Sequence, residues 1–351
     1  EFTEEFAATE HVIRIDGLRR QHVYEYRVVV TDREEQRQTA WLECDTLFNY
    51  TVQEASDQLR ELGRMRVDQV TMAIEAVTGD GGLAVLLGAD DCGLAAAIAV
   101  QSRMRVLVYD GDIAKVNKLR AELLDIGVYG YRIAVTHVEN AAAVPLTSAT
   151  ANLVMATPAT IADDTDGIVR EMARVARPNG GVVVLGVESQ GDVERTELTR
   201  IANDVGLHVS ETDGNMVIGI RPGFDGSGDW SHLYGSANNS AFNGETLHGV
   251  RSRDDLAVQW IGRPGARYQP DRNGRKPSPL SAGGRLYLQG LQRLIALDAY
   301  NGSILWSLEI PDLGRFNMPR DCGNWCADDN CLYVAIRDKC WQIEGATGRV
   351  I

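Results

Sequence analysis

The sequence predicts a multidomain chain, α/β in its middle and all-β at either end, on three observations. Residues 83–221 alternate short apolar runs with amphipathic segments, the pattern of a mainly parallel, doubly wound sheet. The last two runs have no helix between them. Asp213-Gly214 marks a hairpin there instead, so the final strand is expected to run antiparallel. Beyond residue 223 the sequence repeats with a period of 46, Asp298 matching Glu344 and Gly302 matching Gly348.

Within residues 1–50, Val12–Ile15, Tyr24–Val30 and Thr39–Cys44 read as strands. Leu18 and Tyr24, six apart, have the spacing of a tyrosine corner, in which the phenol caps a turn of a β-sandwich. The stretch resembles the closing strands of a fibronectin type III module, about half of such a domain, with the role of a spacer. Residues 51–80 follow as a helical linker: Leu59, Leu62, Val70, Ala73 and Val77 fall near helical spacing, and Gly79–Gly82 ends the run. In the domain at 81–222, strands are expected at 83–87, 106–109, 131–135, 153–155, 182–186, 207–210 and 216–220. Helices are expected near 94–102, 113–125, 164–176 and 192–204, with Asp112 and Asp192 as N-caps.

Residues 223–351 hold the repeat: Arg285-Leu-Tyr-Leu and Leu294–Trp306 pair with Cys331-Leu-Tyr-Val and Cys340–Val350. Strand–acid–turn–glycine–strand units of this period read as β-propeller blades, about two of them. The spacing of acid, glycine and Trp306 resembles the PQQ-like propeller repeat, and Asp229–Gly235 with Asn238-Asn239-Ser240 is similar to the entry segment of such propellers. That resemblance implies a tryptophan packed between blades; PQQ itself is not expected from this segment.

Composition sets limits. At 351 residues the chain is long for one core. It is 44% hydrophobic with no apolar run long enough to cross a bilayer. A net charge of −14 argues against nucleic acid or an anionic membrane as partner. The chain begins at Glu1, shows no signal peptide and stops within a repeat, and so reads as a segment of a longer protein. Cys322, Cys326, Cys331 and Cys340 are separated by three, four and eight residues. They form no paired C-x-x-C knuckles, so no metal site is expected; buried free thiols lead one or two disulfides.

The chemistry-bearing stretch is Leu83–Leu94 followed by Arg105–Asp112. An apolar run ends in the turn Gly88-Ala-Asp-Asp-Cys-Gly93, a helix follows, and a second run ends in Asp110, 22 residues after Gly88. This is the β-loop-α-β layout of a nucleotide-type cofactor site. Glycines let the backbone approach the ligand, and the acid accepts hydrogen bonds from ribose hydroxyls. Gly88-x4-Gly93 lacks the following Lys-Ser/Thr of a Walker phosphate loop, and a NAD site would want a third glycine and no terminal hairpin.

The hairpin-entered seventh strand resembles class I S-adenosylmethionine-dependent methyltransferases. Pro145-Leu146 ahead of Ala151–Val154 looks like that family's approach to strand four. Glu171–Val182 is similar to its "RVLKPGG" lead into strand five. The resemblance, over about 140 residues, implies S-adenosylmethionine as cofactor. Gly88, Ala89, Asp90 and Gly93 would lie beneath the ligand, loop amides and the N-terminus of the 94–102 helix facing its carboxylate. Asp110 and Gly111 would hold the ribose, and Val138 and Glu139, with His137, the adenine. The sequence departs from the family at Leu86, where an acid is expected, and at Asp90 and Cys92, where glycines are expected. Ala156–Thr160 offers no general base, so catalytic residues are unknown, although transfer from a sulfonium needs mainly alignment. The resemblance thus implies a methyltransferase whose acceptor, a protein or small molecule, is selected by the propeller, and a cytoplasmic location. The alternative is a non-catalytic cell-envelope or periplasmic scaffold with a degenerate cofactor site. A quinone-dependent dehydrogenase would need a complete ring.

Overall fold

The computed structural model describes residues 13, 15, 17–19, 22–32, 35–46, 55–79, 81–186, 192–210, 216–247, 250–265, 268, 277–310, 312–313 and 323–351. The chain divides into two compact units, Glu1–Thr51 and Val52–Ile351.

In the first unit, β1 (Val23–Tyr26), β2 (Val29–Asp32), β3 (Glu35–Gln38) and β4 (Leu42–Asp45) form two antiparallel pairs, β1 with β4 and β2 with β3. The strand expected at 24–30 is two strands, broken at Arg27-Val28. β3 carries no apolar signature. Of the strand expected at 12–15, Ile13 and Ile15 are not in a strand, and Val12 and Arg14 lie outside the described residues. The Tyr24 phenol oxygen accepts from Arg19 N at 2.6 Å.

The second unit opens with α1 (Asp57–Gly63), a 3₁₀ turn (Arg64–Arg66) and α2 (Val67–Ala76). Ser56 caps α1 by accepting from Leu59 N. These helices, expected as a linker, pack instead into the α/β core: Leu59, Val70 and Ala73 are buried there with α3 (Gly93–Gln101). Contact is close because Gly63 lacks a side chain; a Cβ there would lie 2.7 Å from Ala97 N.

Strands β5 (Leu83–Leu87), β6 (Arg105–Asp110), β7 (Ile133–His137), β8 (Leu153–Ala156), β9 (Gly181–Gly186), β10 (His208–Ser210) and β11 (Met216–Arg221) form one sheet. Its order is β10-β11-β9-β8-β5-β6-β7. The pairs β5/β6, β6/β7, β5/β8 and β8/β9 are parallel, while β11 runs antiparallel to β9 and β10. Asp213-Gly214 lie outside the described residues. One face is covered by α1 to α3 and α4 (Ile113–Asp125), the other by α5 (Pro158–Asp163), α6 (Thr165–Val175) and α7 (Asp192–Asp204). The helix expected at 164–176 is α6, with the short α5 before it unforeseen, and the cap expected at Asp192, the first residue of α7, lies outside what the structure describes. Strands buried on both faces explain why their sequences are continuous apolar runs.

Two antiparallel sheets complete the unit. The first holds β12 (Leu280–Ala282), β13 (Arg285–Gly290), β14 (Arg293–Asp298) and β15 (Ile304–Glu309); the second holds β16 (Trp325–Ala327), β17 (Cys331–Ile336) and β18 (Lys339–Glu344). β13 and β14 recur as β17 and β18 at an offset of 46. Trp306 closes the first sheet onto the second: its indole donates to Gly345 O at 2.8 Å, and its ring lies against Gly348. Cys92, Cys326, Cys331 and Cys340 are free thiols. Cys322 and the Cys44 side chain lie outside what the structure describes. No helix among the described residues is long and apolar enough to cross a membrane.

The first antiparallel sheet docks on the edge of the α/β sheet where β5 and β8 begin. Asn152 Oδ1 accepts from Leu83 N and from Asn301 Nδ2, each at 2.9 Å. Asn152 Nδ2 donates to Asp298 Oδ2 at 2.9 Å, and Arg177 Nε lies 3.4 Å from the same oxygen. Arg103 adds a 2.8 Å bond to Leu305 O. Asn152, Arg177 and Asp298 are all buried.

Candidate functional site

The opposite edge of the α/β sheet holds every residue expected to contact a cofactor. β5 ends at Leu87, and Gly88 turns the chain with φ +74°, a conformation that favours glycine. Its amide donates to Tyr109 O at 2.8 Å, tying the loop to β6. Asp110 ends β6, and its carboxylate points inward. Oδ2 accepts from Ala89 N at 3.0 Å and Oδ1 from Asp112 N at 2.8 Å. Asp112 caps α4 by accepting from Ala114 N and Lys115 N, as expected. Val138 N donates to Asp110 O, and His137 Nε2 lies 3.0 Å from Gly111 O. Val138 is buried and Glu139 exposed at the rim. Gly88, Ala89, Asp110, Gly111 and Val138 are therefore brought together, with Asp90 on the outside.

Three features were not foreseen. The Lys115 ammonium sits 3.5 Å from Asp110 Oδ2 and 4.0 Å from Asp90 Oδ1. Asp91 Oδ1 takes the Gly93 amide at 2.8 Å, and its other oxygen pairs with Arg66 at 3.3 Å. Thr157 caps α5, and the Thr157 and Thr160 hydroxyls pack on Gly88. The signals were present: Lys115 stands three residues after the α4 cap, and Asp91 two before the first helical glycine.

A ribose diol needs an open face of Asp110, yet that side chain is 7% exposed, with two amides and Lys115 around it. A ligand carboxylate needs free amides at the start of α3, yet Asp91 holds the Gly93 amide. In this arrangement two backbone amides and the Lys115 ammonium engage the Asp110 carboxylate that a ribose diol would use.

Cys92, the loop residue standing for a glycine, is sealed under α4, its Sγ 3.7 Å from Leu119 O. Burial, with the Glu122 carboxylate nearby, pushes its thiol up to about 12. It is therefore expected to resist alkylation at neutral pH in the folded chain and to react once urea unfolds it. Because the folded thiol is the weaker acid, its contribution to stability is full below its unfolded pKa and lost as pH rises from there through about 12. Thiol counting with a maleimide probe checks the first expectation and alkaline unfolding curves of Cys92→Ala the second.

The sheet order, parallel strands with one antiparallel strand inserted next to the last, is that of the methyltransferase sheet. The α/β domain is methyltransferase-like in fold. Solved structures similar to this chain include an S-adenosyl-L-methionine-dependent methyltransferase from Methanococcus maripaludis, at 15% identity, covering 48% of this chain and 89% of that one with a TM-score of 0.39. A SAM-dependent methyltransferase from Aquifex aeolicus is 17% identical, covering 47% of this chain and 97% of that one at 0.36. Geranyl diphosphate C-methyltransferase from Streptomyces coelicolor is 15% identical, covering 44% of this chain and 65% of that one, also at 0.36. No protein-family model and no curated protein matches the sequence.

Proposed function

We propose that the chain is a non-catalytic scaffold. In this reading the methyltransferase-like domain carries PQQ-like propeller blades on one edge of its sheet and closes its cofactor edge with its own side chains. The observation that supports it is Asp110, whose carboxylate is engaged by Ala89, Asp112 and Lys115 while Asp91 engages the α3 amide. Burying a carboxylate without such partners would be costly, so these groups stabilise a ligand-free loop. The buried Asn152–Asp298–Arg177 network makes the opposite edge a platform for the first blade. A partner would then be met by the propeller part, and the first unit would act as a fibronectin-like spacer.

A second reading, S-adenosylmethionine binding with methyl transfer to an unknown acceptor, is favoured by one observation: Asp110 ends the second parallel strand beside a positive-φ glycine. Under it, Gly88, Ala89, Asp90, Gly93, Asp110, Gly111, Val138 and Glu139 would hold the cofactor after Lys115 swings away.

Calorimetric titration of the whole chain with S-adenosylmethionine and S-adenosylhomocysteine separates the two. No saturable heat from the wild type or from Lys115→Ala is the expected result. Micromolar binding that Lys115→Ala tightens and Asp110→Ala abolishes would establish the second reading instead.

A further inference from the structure

The C-terminal turn of α4 carries charge of the wrong sign for the fold. A helix ends in a partial negative charge that basic side chains stabilise, yet the last turn of α4 holds Glu122 and Asp125 and no basic residue. Lys118, one turn earlier, is exposed and makes no ion pair among the described residues. Glu122 and Ile126, the residue that caps α4, line a shallow groove of about 450 Å³ together with Gln58, Glu61 and Leu62 of α1. Leu62 and Ile126 are half-buried and form its apolar wall, while Gln58 and Glu61 are exposed at the rim. The Cys92 thiol donates to the Glu122 carboxylate and so holds it at the groove. One thiol fills only part of what a carboxylate can accept. Glu61 has Arg64 at 3.7 Å, but both side chains are exposed, and water screens such a pair so that another cation exchanges with it readily.

We propose that this groove between α1 and α4 is a docking site for a lysine side chain of a partner protein, its methylene stem lying on Leu62 and Ile126 and its ammonium held by Glu61 and Glu122. Charge and shape select that occupant. An apolar wall beside two carboxylates suits a side chain that buries a hydrocarbon stem and keeps a charged head in water. The ammonium also supplies the cation that the last turn of α4 lacks, and a net charge of −14 draws basic partners to the chain. A neutral side chain would gain only the wall, and an acidic one would be repelled. The groove lies among the helices of one face of the α/β sheet, so the proposal does not depend on whether the cofactor edge binds a ligand.

The probe is blocked lysine, N-acetyl-lysine methylamide, with the norleucine compound as its uncharged counterpart. Titrated into the full chain, the lysine compound is expected to move the amide resonances of residues 58–63 and 122–126 saturably, with a dissociation constant on the order of 1 mM, within reach of so few atoms. The norleucine compound is expected to bind about tenfold more weakly, the worth of two exposed ion pairs. Glu61→Gln/Glu122→Gln should lose that preference and keep the wild-type melting temperature. Should the pair of changes lower it, Glu61→Gln alone, at an exposed position, is expected to weaken lysine binding about threefold. Asp163→Asn removes an exposed charge on the opposite face of the sheet and should leave binding as it is. Equal binding of the two compounds, unchanged lysine binding without the Glu61 or Glu122 charge, an equal loss in Asp163→Asn, or shifts that do not saturate each overturn the proposal.

Discussion

Asp298→Ala is expected to lower the stability of the Val52–Ile351 unit by about 3–5 kcal/mol, the usual consequence of removing one partner from a buried charged pair. The carboxylate is 2% exposed. Its Oδ1 accepts from Tyr300 N and Asn301 N at 2.9 and 3.3 Å, forming the turn before β15. Its Oδ2 faces Asn152 Nδ2 and Arg177 Nε, so alanine leaves a buried guanidinium and a buried amide without this acceptor. The isosteric amide is no remedy: Asp298→Asn keeps one oxygen for the turn amides but turns an NH₂ group toward two donors. The repeat provides an internal control. Glu344, its counterpart 46 residues on, meets Thr347 and Arg349 at the surface, where the Arg349 side chain is 67% exposed. Glu344→Ala is therefore expected to cost far less than Asp298→Ala, since an exposed ion pair is screened by solvent. Urea unfolding of both variants and of Asp298→Ala/Arg177→Met checks the claim. The double variant should recover part of the loss, because it no longer buries an unpaired charge. Equal costs at 298 and 344 would show that the turn, and not the buried pair, carries the effect.

The contrast between these two acids shows what a sequence can and cannot say about this chain. The period of 46 made 298 and 344 equivalent as turn formers, and both do form turns. Nothing in the period said that one would be buried against Asn152 and Arg177, since that depends on which neighbour each sheet meets. The same division runs through the α/β domain. Continuous runs such as Leu83–Leu87 and Val182–Gly186 announced strands covered on both faces, and a missing helix after residue 210 announced the antiparallel strand. The sequence of α1 and α2 suits a connector as well as a packed pair, because amphipathic spacing marks a buried face without naming what buries it. At the cofactor edge, Gly88 and Asp110 were legible because their jobs are local: a positive φ and a strand-end carboxylate. Lys115, Asp91 and Thr160 were not, because their effect is to occupy acceptors, amides and space that a motif assumes to be free.

Trp306→Ala is expected to open the second antiparallel sheet while leaving the α/β sheet intact. The side chain is buried on the face shared with Tyr287, the two rings 6.1 Å apart and tilted by 45°. Its indole satisfies Gly345 O in the turn that leads away from β18. Removing a buried tryptophan of this kind costs about 3–5 kcal/mol, and here the cavity would lie between two sheets rather than inside one. The second sheet has three strands, and its apolar residues Leu332, Val334 and Ile343 share one core with Leu280, Ala282 and Leu294 of the first. Losing the wedge therefore weakens the face on which the smaller sheet depends. Trp306→Phe separates the two contributions: it keeps most of the buried area and deletes the donor, for a loss of about 1–2 kcal/mol. Native-state amide exchange is the decisive readout. In Trp306→Ala, amides of Cys331–Ile336 should exchange through a local opening far below the global unfolding energy, while those of Leu83–Leu87 keep the protection of the α/β core. If both segments lose protection together, the sheets and the α/β domain unfold as one cooperative body, and the indole is one contact among many rather than the joint between repeats.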